Sequence, residues 1–403
     1  MGDDGGKEDA VASSFSGCFS YTNALAETPK RLKERAWVTS TPLQEMTQIR
    51  QRSGADMRRK LEWYDLVAMG VGGMLGAGVF VTTGTVAHET AGPAVVLSYI
   101  VAGVSALLSA FCYTEFAVEM PVAGGAFSYL RITFGEFAGY FAGANLVMEY
   151  VLSNAAIARG FTTNFASVFG IMHENAWRIR ANGLADGYNM LDFPAVGLVI
   201  LLSICLCYST KESSTLNIAV TFFHLLLYGF IIVAGFAYGN FDNLTKPSKA
   251  TEPEGFAPFG ARGIFVGAAM VYFSYIGYDS VSTMAEEIKH PAKSLPLGVS
   301  GSVIIVSILY CLMSLALCLL LPYDLIMKDS AAFPGAFKQS VGWKWGSNMV
   351  GVGASLGIVA SLLVAMLGQA RYLCVIGRAR LIPYWFARVH PTTGTPMNAT
   401  LSL

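Results

Sequence analysis

The sequence is short of charge. Of 403 residues 13% are charged and 54% hydrophobic, with a mean hydropathy of +0.50, whereas soluble domains carry about 25% charge. The balance of 27 basic and 27 acidic side chains leaves a formal net charge of zero, so the chain has no electrostatic footprint for nucleic acid and no means of capturing an acidic substrate by charge alone. Its seven cysteines, Cys18, Cys112, Cys205, Cys207, Cys311, Cys318 and Cys374, are odd in number, and six fall in or at the ends of apolar runs. That excludes a disulfide framework, and no His/Cys cluster has metal-ligand spacing. There is no paired nucleophile and base and no phosphate loop, so the chain is expected not to be an enzyme and to need no cofactor. A channel is disfavoured by the lack of a charged ring or filter-like repeat. Met1 to Asp9 are acidic and Gly-rich with no apolar h-region behind them, so no cleavable signal peptide is expected and insertion rests on the first span.

What is present is a series of apolar runs of about 17 to 25 residues, the length that crosses a bilayer. They lie near 64–86, 92–116, 126–158, 193–209, 217–239, 262–285, 298–321 and 349–374, and a ninth begins at Met397. An all-α polytopic membrane protein with eight complete spans is therefore expected over 61–403. Residues 1–60 read as a largely flexible cytosolic tail. The cluster Arg50, Arg52, Arg58, Arg59 and Lys60 directly before the first span favours a cytosolic N-terminus and also suits anionic lipid. The third run exceeds what a bilayer requires, which predicts a helix that is tilted or extends past the headgroups. The polar linkers over 170–192 and 240–262 read as surface loops.

Two of the runs are interrupted. Gly70 to Gly78, Gly-Val-Gly-Gly-Met-Leu-Gly-Ala-Gly, holds five glycines, each about 1 kcal/mol worse than alanine inside a helix. Backbone groups freed there meet no water in lipid, so such a break persists only where protein, a solvated cavity or a bound solute satisfies them. The second interruption, Tyr272 to Ser280, places Gly277 and Asp279 in the middle of the sixth run, where an acid costs about 3 kcal/mol unless solvated or paired. Broken spans at equivalent places in two successive five-helix units point to an inverted-repeat transporter with its site between the breaks.

Gly-Gly-Met-Leu-Gly-Ala-Gly-Val-Phe (72–80), Pro-Val-Ala-Gly-Gly-Ala-Phe-Ser-Tyr (121–129) and Tyr-Ile-Gly-Tyr-Asp-Ser-Val-Ser-Thr-Met-Ala-Glu-Glu (275–287) together resemble the cationic amino acid transporters of the amino acid, polyamine and organocation superfamily, most closely the plant members. The resemblance runs from about Leu61 to the C-terminus. It implies a five-plus-five inverted-repeat fold of the LeuT-like kind and amino acid transport by alternating access. Members complete ten core helices, whereas this chain stops as the ninth begins, so the fold is expected to be incomplete after the eighth span.

At the first break Gly76, Ala77 and Gly78 would offer backbone N–H groups at a helix start, a setting that suits a carboxylate. Gly72 and Gly76 also form a GxxxG pair, and a packing face is the alternative reading. The carbonyls of Met74, Phe273, Ser274 and Ile276 are candidates to accept an ammonium group, and the resemblance gives Phe273 the place of the residue that covers bound substrate. Glu149 and Asn154, five apart in the third span, can border one cavity and receive a cationic side chain, as the resemblance implies; Glu149 paired with Arg159 or held protonated is the alternative. Asp279 either caps the second half helix or helps bind substrate or cation. Glu286 and Glu287 read as an interfacial charge cluster. His224, the only histidine well inside a span, is a candidate for proton coupling, as the resemblance suggests, or simply a hydrogen-bonded core residue. Sodium coupling is disfavoured because the eighth span offers Ser355 and Ser361 but no adjacent hydroxyl pair.

The expectation is a transporter in the plasma membrane, or alternatively the vacuolar membrane, that carries amino acids, cationic ones such as arginine, lysine and ornithine first, driven by protons, membrane potential or both. Neutral amino acids or polyamines are alternative substrates. A different class of role is a non-transporting form that associates with a full-length relative. The expected partners are the small-molecule substrate, protons and the lipid bilayer, with no nucleic acid.

Overall fold

A computed structural model describes residues 22, 26, 27, 29, 30, 33, 62–119, 125–171, 177–181, 183, 189–208, 210–282, 288–326, 331–379, 381–388 and 396–402. The tail expected over 1–60 lies almost wholly outside these residues, as do Glu286 and Glu287.

The expected first span is two helices. Helix α1, Trp63–Met74, begins where the Glu62 N–H donates to Asp65 Oδ2 at 3.0 Å, closing one orphan donor at the helix start. It ends as Leu75 turns extended (φ −67°, ψ 126°), and Gly76 follows at φ 134°, a backbone that L side chains avoid. Helix α2, Ala77–Val86, then continues. The break is thus two residues long. Gly70, Gly72 and Gly73 stay helical, and at Gly70 small size serves packing instead: a Cβ there would lie 2.5 Å from Ser302 Oγ.

Helix α3, Val95–Glu119, follows a bend through Gly92 (φ 62°) and Pro93. The third run is not the single long helix expected. It divides into α4, Gly125–Phe134, and α5, Glu136–Val168, at Gly135 (φ 93°), where the positive φ ends one helix and turns the chain into the next. Within the linker expected as plain loop, β1, Arg178–Arg180, pairs antiparallel with β2, Met190–Asp192, Arg178 opposite Asp192. Arg178 Nε lies 3.1 Å from Asp192 Oδ2, and the Thr162 hydroxyl donates to Asp192 Oδ1 at 2.6 Å. This pairing pins the hairpin to α5.

Helices α6, Phe193–Tyr208, and α7, Thr210–Tyr238, come next. The sixth run repeats the pattern of the first. Helix α8, Gly260–Val271, passes into a 3-10 turn over Tyr272–Tyr275. Ile276 is extended (φ −57°, ψ 130°), Gly277 has φ 126°, and α9, Tyr278–Ser282, starts directly after. An extended residue followed by a positive-φ glycine is the backbone of the first break as well. The chain closes with α10, Pro291–Leu320, the short α11, Ala332–Ala336, the long α12, Lys344–Arg378, and α13, Met397–Leu401.

Among the described residues four helical stretches are long and apolar enough to cross a membrane: Gly78–Glu119, Thr221–Tyr238, Pro291–Leu320 and Lys344–Arg378, while Phe193–Cys207 is apolar but shorter. The other expected spans fall short for physical reasons. The breaks leave α1 and α8 at 12 residues each, and α5 carries Glu136, Glu149 and Arg159. In the packing α12 runs along α5, and α10 lies against both α1 and α3. Both α10 and α12 pack on α1 and α2, the two halves of the first broken span.

Candidate functional site

The two breaks meet. A Cβ on Gly78 would lie 2.2 Å from Ser274 Cα, and one on Gly277 would lie 2.9 Å from the carbonyl of Gly73. Only glycine permits backbones so close. Beside this crossing opens a small cavity of about 20 Å³. Its walls are Gly73 and Met74 of α1, Gly78 of α2, Phe273 to Gly277 of the second break without Tyr275, Tyr150 and Ile157 of α5, and Ser361, Val364 and Ala365 of α12. The pocket is largely apolar, with polar groups from backbone and a few hydroxyls, as small-molecule sites usually are.

Gly76 is the N-cap of α2, with Ala77 and Gly78 its first two residues. The first N–H groups of a helix have no partner within it, and the dipole there favours an anion. Gly76 also lies on α12, since a Cβ there would sit 2.4 Å from Gly357 O and 2.5 Å from Ser361 Oγ. Ser361 donates to Leu75 O at 2.8 Å, which satisfies one carbonyl of the break.

The carbonyls of Met74 and Ser274, expected to face an ammonium group, face protein instead. Both lie close to one buried phenol, Tyr310 Oη, at 2.6 Å and 2.9 Å. The Phe273 carbonyl accepts from the Ile276 N–H at 3.3 Å, while the Phe273 and Ile276 residues line the cavity. The Ser274 hydroxyl is 3.2 Å from Thr82 Oγ1 and 3.5 Å from Tyr99 Oη, which in turn is 2.7 Å from Thr83 Oγ1. A chain of hydroxyls therefore stitches the second break to α2 and α3.

Asp279 sits one residue inside α9 and is buried. Its Oδ1 accepts from the Gly277 N–H at 3.2 Å, and its Oδ2 accepts from Tyr150 Oη at 2.6 Å and Tyr372 Oη at 3.5 Å. Three donors thus converge on this buried carboxyl group. It braces the glycine of the break and ties it to α5 and α12, and Tyr150 carries it to the cavity wall.

Glu149 and Asn154 are not brought together around the cavity. Glu149 lies on the exposed face of α5, next to Met148, 59% exposed, and has no partner among the described residues. Tyr150, one residue on, is the side chain that this turn of α5 gives to the cavity wall. Asn154 is buried and its Nδ2 donates to Gln369 Oε1 at 2.7 Å, a cross-link between α5 and α12. Pairing of Glu149 with Arg159 does not occur.

His224 of α7 is buried, with Nε2 2.6 Å from Gly353 O, so its ring donates there from Nε2. Phe80 and Tyr228 are its ring neighbours, at centroid distances of 6.4 Å and 5.9 Å. A Cβ on Gly357 would fall 1.5 Å from the His224 ring. Gly357 thus separates the imidazole from the first break, whose Gly76 rests on its carbonyl. Ser355 bonds within its own helix, to Gly351 O at 2.7 Å.

Sequence reasoning missed Tyr99, Tyr150, Tyr310, Tyr372 and Ser361. The available signal was tyrosine within apolar runs, since a buried phenol must find an acceptor. Nothing in the sequence said which acceptor.

Residues 61–402 match the amino acid permease family. The chain belongs to the amino acid permease family. Among relatives of this permease is "Cationic amino acid transporter 6, chloroplastic" of Arabidopsis thaliana, 57% identical over 391 residues, covering 97% of this chain and 67% of the relative. Another, "Cationic amino acid transporter 7, chloroplastic" of the same plant, is 56% identical over 390 residues, covering 97% of this chain and 66% of the relative. "Methylthioribose transporter" of Bacillus subtilis (strain 168) is 33% identical over 353 residues, covering 87% of this chain and 74% of that one. The permease chain spans about two thirds of the length of the two plant relatives. The expectation of a plasma-membrane location is corrected by them, because both plant relatives are named chloroplastic.

Proposed function

We propose that this permease carries amino acids, cationic ones foremost, by alternating access, with the substrate held beside the crossing of the two broken helices. The observation that carries the reading is the matched backbone of the breaks: Leu75–Gly76 and Ile276–Gly277 share an extended residue followed by a positive-φ glycine, and the residues flanking them approach closely, Gly277 against Gly73 and Gly78 against Ser274. Such a pair supports the five-plus-five inverted repeat, whose half-helix starts take a substrate carboxylate. The N–H groups of Gly76, Ala77 and Gly78 take that role here. Phe273 and Ile276 line the space above the substrate, and Asp279 with Tyr150 supplies the negative end for an ammonium or guanidinium side chain. The names of the plant relatives favour cationic amino acids and a plastid membrane.

A membrane potential of 100 mV contributes about 2.3 kcal/mol per charge moved, so a cationic substrate accumulates without a coupled ion. His224, one glycine away from the first break, is the proton-coupling residue in this reading. Uptake of labelled arginine, lysine and leucine by proteoliposomes holding the full chain, at two pH values and with the potential collapsed, tests it. Arginine uptake above protein-free vesicles is expected, with a pH response that His224→Ala abolishes. No uptake refutes the transport reading; a full pH response in the variant refutes the role of His224 alone.

A further inference from the structure

Tyr310 does not line the cavity, yet it touches both breaks. Its ring is fully buried in α10 between Tyr99 and Tyr275, at centroid distances of 5.3 Å and 5.5 Å. Its hydroxyl faces the carbonyl of Met74, the last residue of α1, at 2.6 Å and that of Ser274, in the turn that ends α8, at 2.9 Å. Each carbonyl stands at the C-terminal end of a half helix, where the dipole is negative. The breaks deprive both of regular helical continuation. Beyond Met74 the chain is extended, and the Gly277 N–H that could return toward Ser274 donates to Asp279 instead.

A phenol has one hydrogen, and two acceptors claim it. We propose that Tyr310 is the positioning residue that sets the separation of the two breaks, its shared proton standing where a small monovalent cation between two carbonyl ends would otherwise be needed. The role rests on the reading of the breaks as the transport site, but the geometry it concerns is independent of substrate. Without the hydroxyl, two carbonyls at negative helix ends face each other across an enclosed gap, a setting in which sodium or potassium is the natural bridge.

Thermal unfolding of the purified full chain in detergent, in sodium, potassium or choline chloride at equal ionic strength, tests this without any transport. Wild type is expected to unfold at one temperature in all three salts. Tyr310→Phe, which keeps the ring, is expected to unfold lower in choline and to regain at least half of the loss in sodium or potassium, saturably. Tyr99→Phe, whose hydroxyl meets side-chain oxygens of Thr83 and Ser274 rather than carbonyls, is the control and should show no cation response. Recovery of folded Tyr310→Phe only when purified in sodium or potassium also supports the proposal. It is overturned by an unchanged variant, by equal loss in every salt, by failure to fold in all three, or by a cation response in wild type or in Tyr99→Phe. Absent uptake by wild type would sink the transport reading and leave this result standing.

Discussion

Alanine at Gly76 and at Gly73, three residues apart, should have opposite effects on stability. Gly76 has φ 134° and ψ −78°, a conformation essentially confined to glycine, and forcing another residue into such a region costs about 1–3 kcal/mol. The added methyl would also lie 2.4 Å from Gly357 O and 2.5 Å from Ser361 Oγ, against 3.4 Å for ordinary contact. Relief requires α2 and α12 to part by roughly 1 Å, which breaks the Ser361 to Leu75 hydrogen bond, a further ~0.5–1.5 kcal/mol. The sum is about 1.5–4.5 kcal/mol out of a total stability that for most domains is only about 5–15 kcal/mol. At Gly73 the backbone is helical and the nearest atom to a new Cβ, Val364 Cγ1, is 3.4 Å away, so alanine fits and gains about 1 kcal/mol of helix propensity. Thermal unfolding of both variants in one detergent should therefore place Gly76→Ala well below wild type and Gly73→Ala at or above it. Equal midpoints would refute the claim that Gly76, rather than glycine content, makes the break.

Two further outcomes follow from the placement of the acids. Asp279→Asn removes the charge that Tyr150 and the Gly277 N–H address, so its apparent affinity for arginine should fall about tenfold or more relative to leucine, roughly 1.4 kcal/mol, while Glu149→Gln changes the two substrates alike; an arginine-selective loss in Glu149→Gln would put that side chain back at the site. At the start of α1, Lys289 Nζ lies 2.6 Å from Glu62 Oε1, and this hydrogen bond holds the Glu62 carboxyl below its ordinary 4.5 and the Lys289 ammonium above its ordinary 10.5. A depressed carboxyl stabilises above its unfolded pKa and ceases to as pH falls through its folded value. The small stability gap between wild type and Lys289→Gln should therefore hold at neutral pH, close in acid below about 4.5, and shrink in high salt because the pair is exposed; a gap that persists in acid contradicts the pairing.

The sequence located the two helix breaks well because glycine and buried acid are costly inside apolar helices wherever they fall. Gly76 and Gly277 could be suspected for that reason, and both prove to be positive-φ residues at the breaks. The same rule overreached at Gly70, Gly72 and Gly73, since a glycine also survives in a helix where a neighbour needs room, as Ser302 does against Gly70. Spacing was a weaker guide for Glu149 and Asn154. Five residues is near enough to one helical face to look plausible, but which face turns inward depends on what packs there, and α12 selected Tyr150 and Asn154.

By itself, then, the sequence determined that this is a helical membrane protein with two interrupted spans, because hydrophobic run length and the local cost of glycine and aspartate depend only on neighbouring residues. The tertiary structure alone decided that the two interruptions touch, that Tyr310 addresses both, and that Asp279 rather than Glu149 is the acid tied to the cavity wall. Those facts depend on contacts between positions separated by 36 to 236 residues, and nothing local encodes which distant backbone a phenol or a glycine will meet.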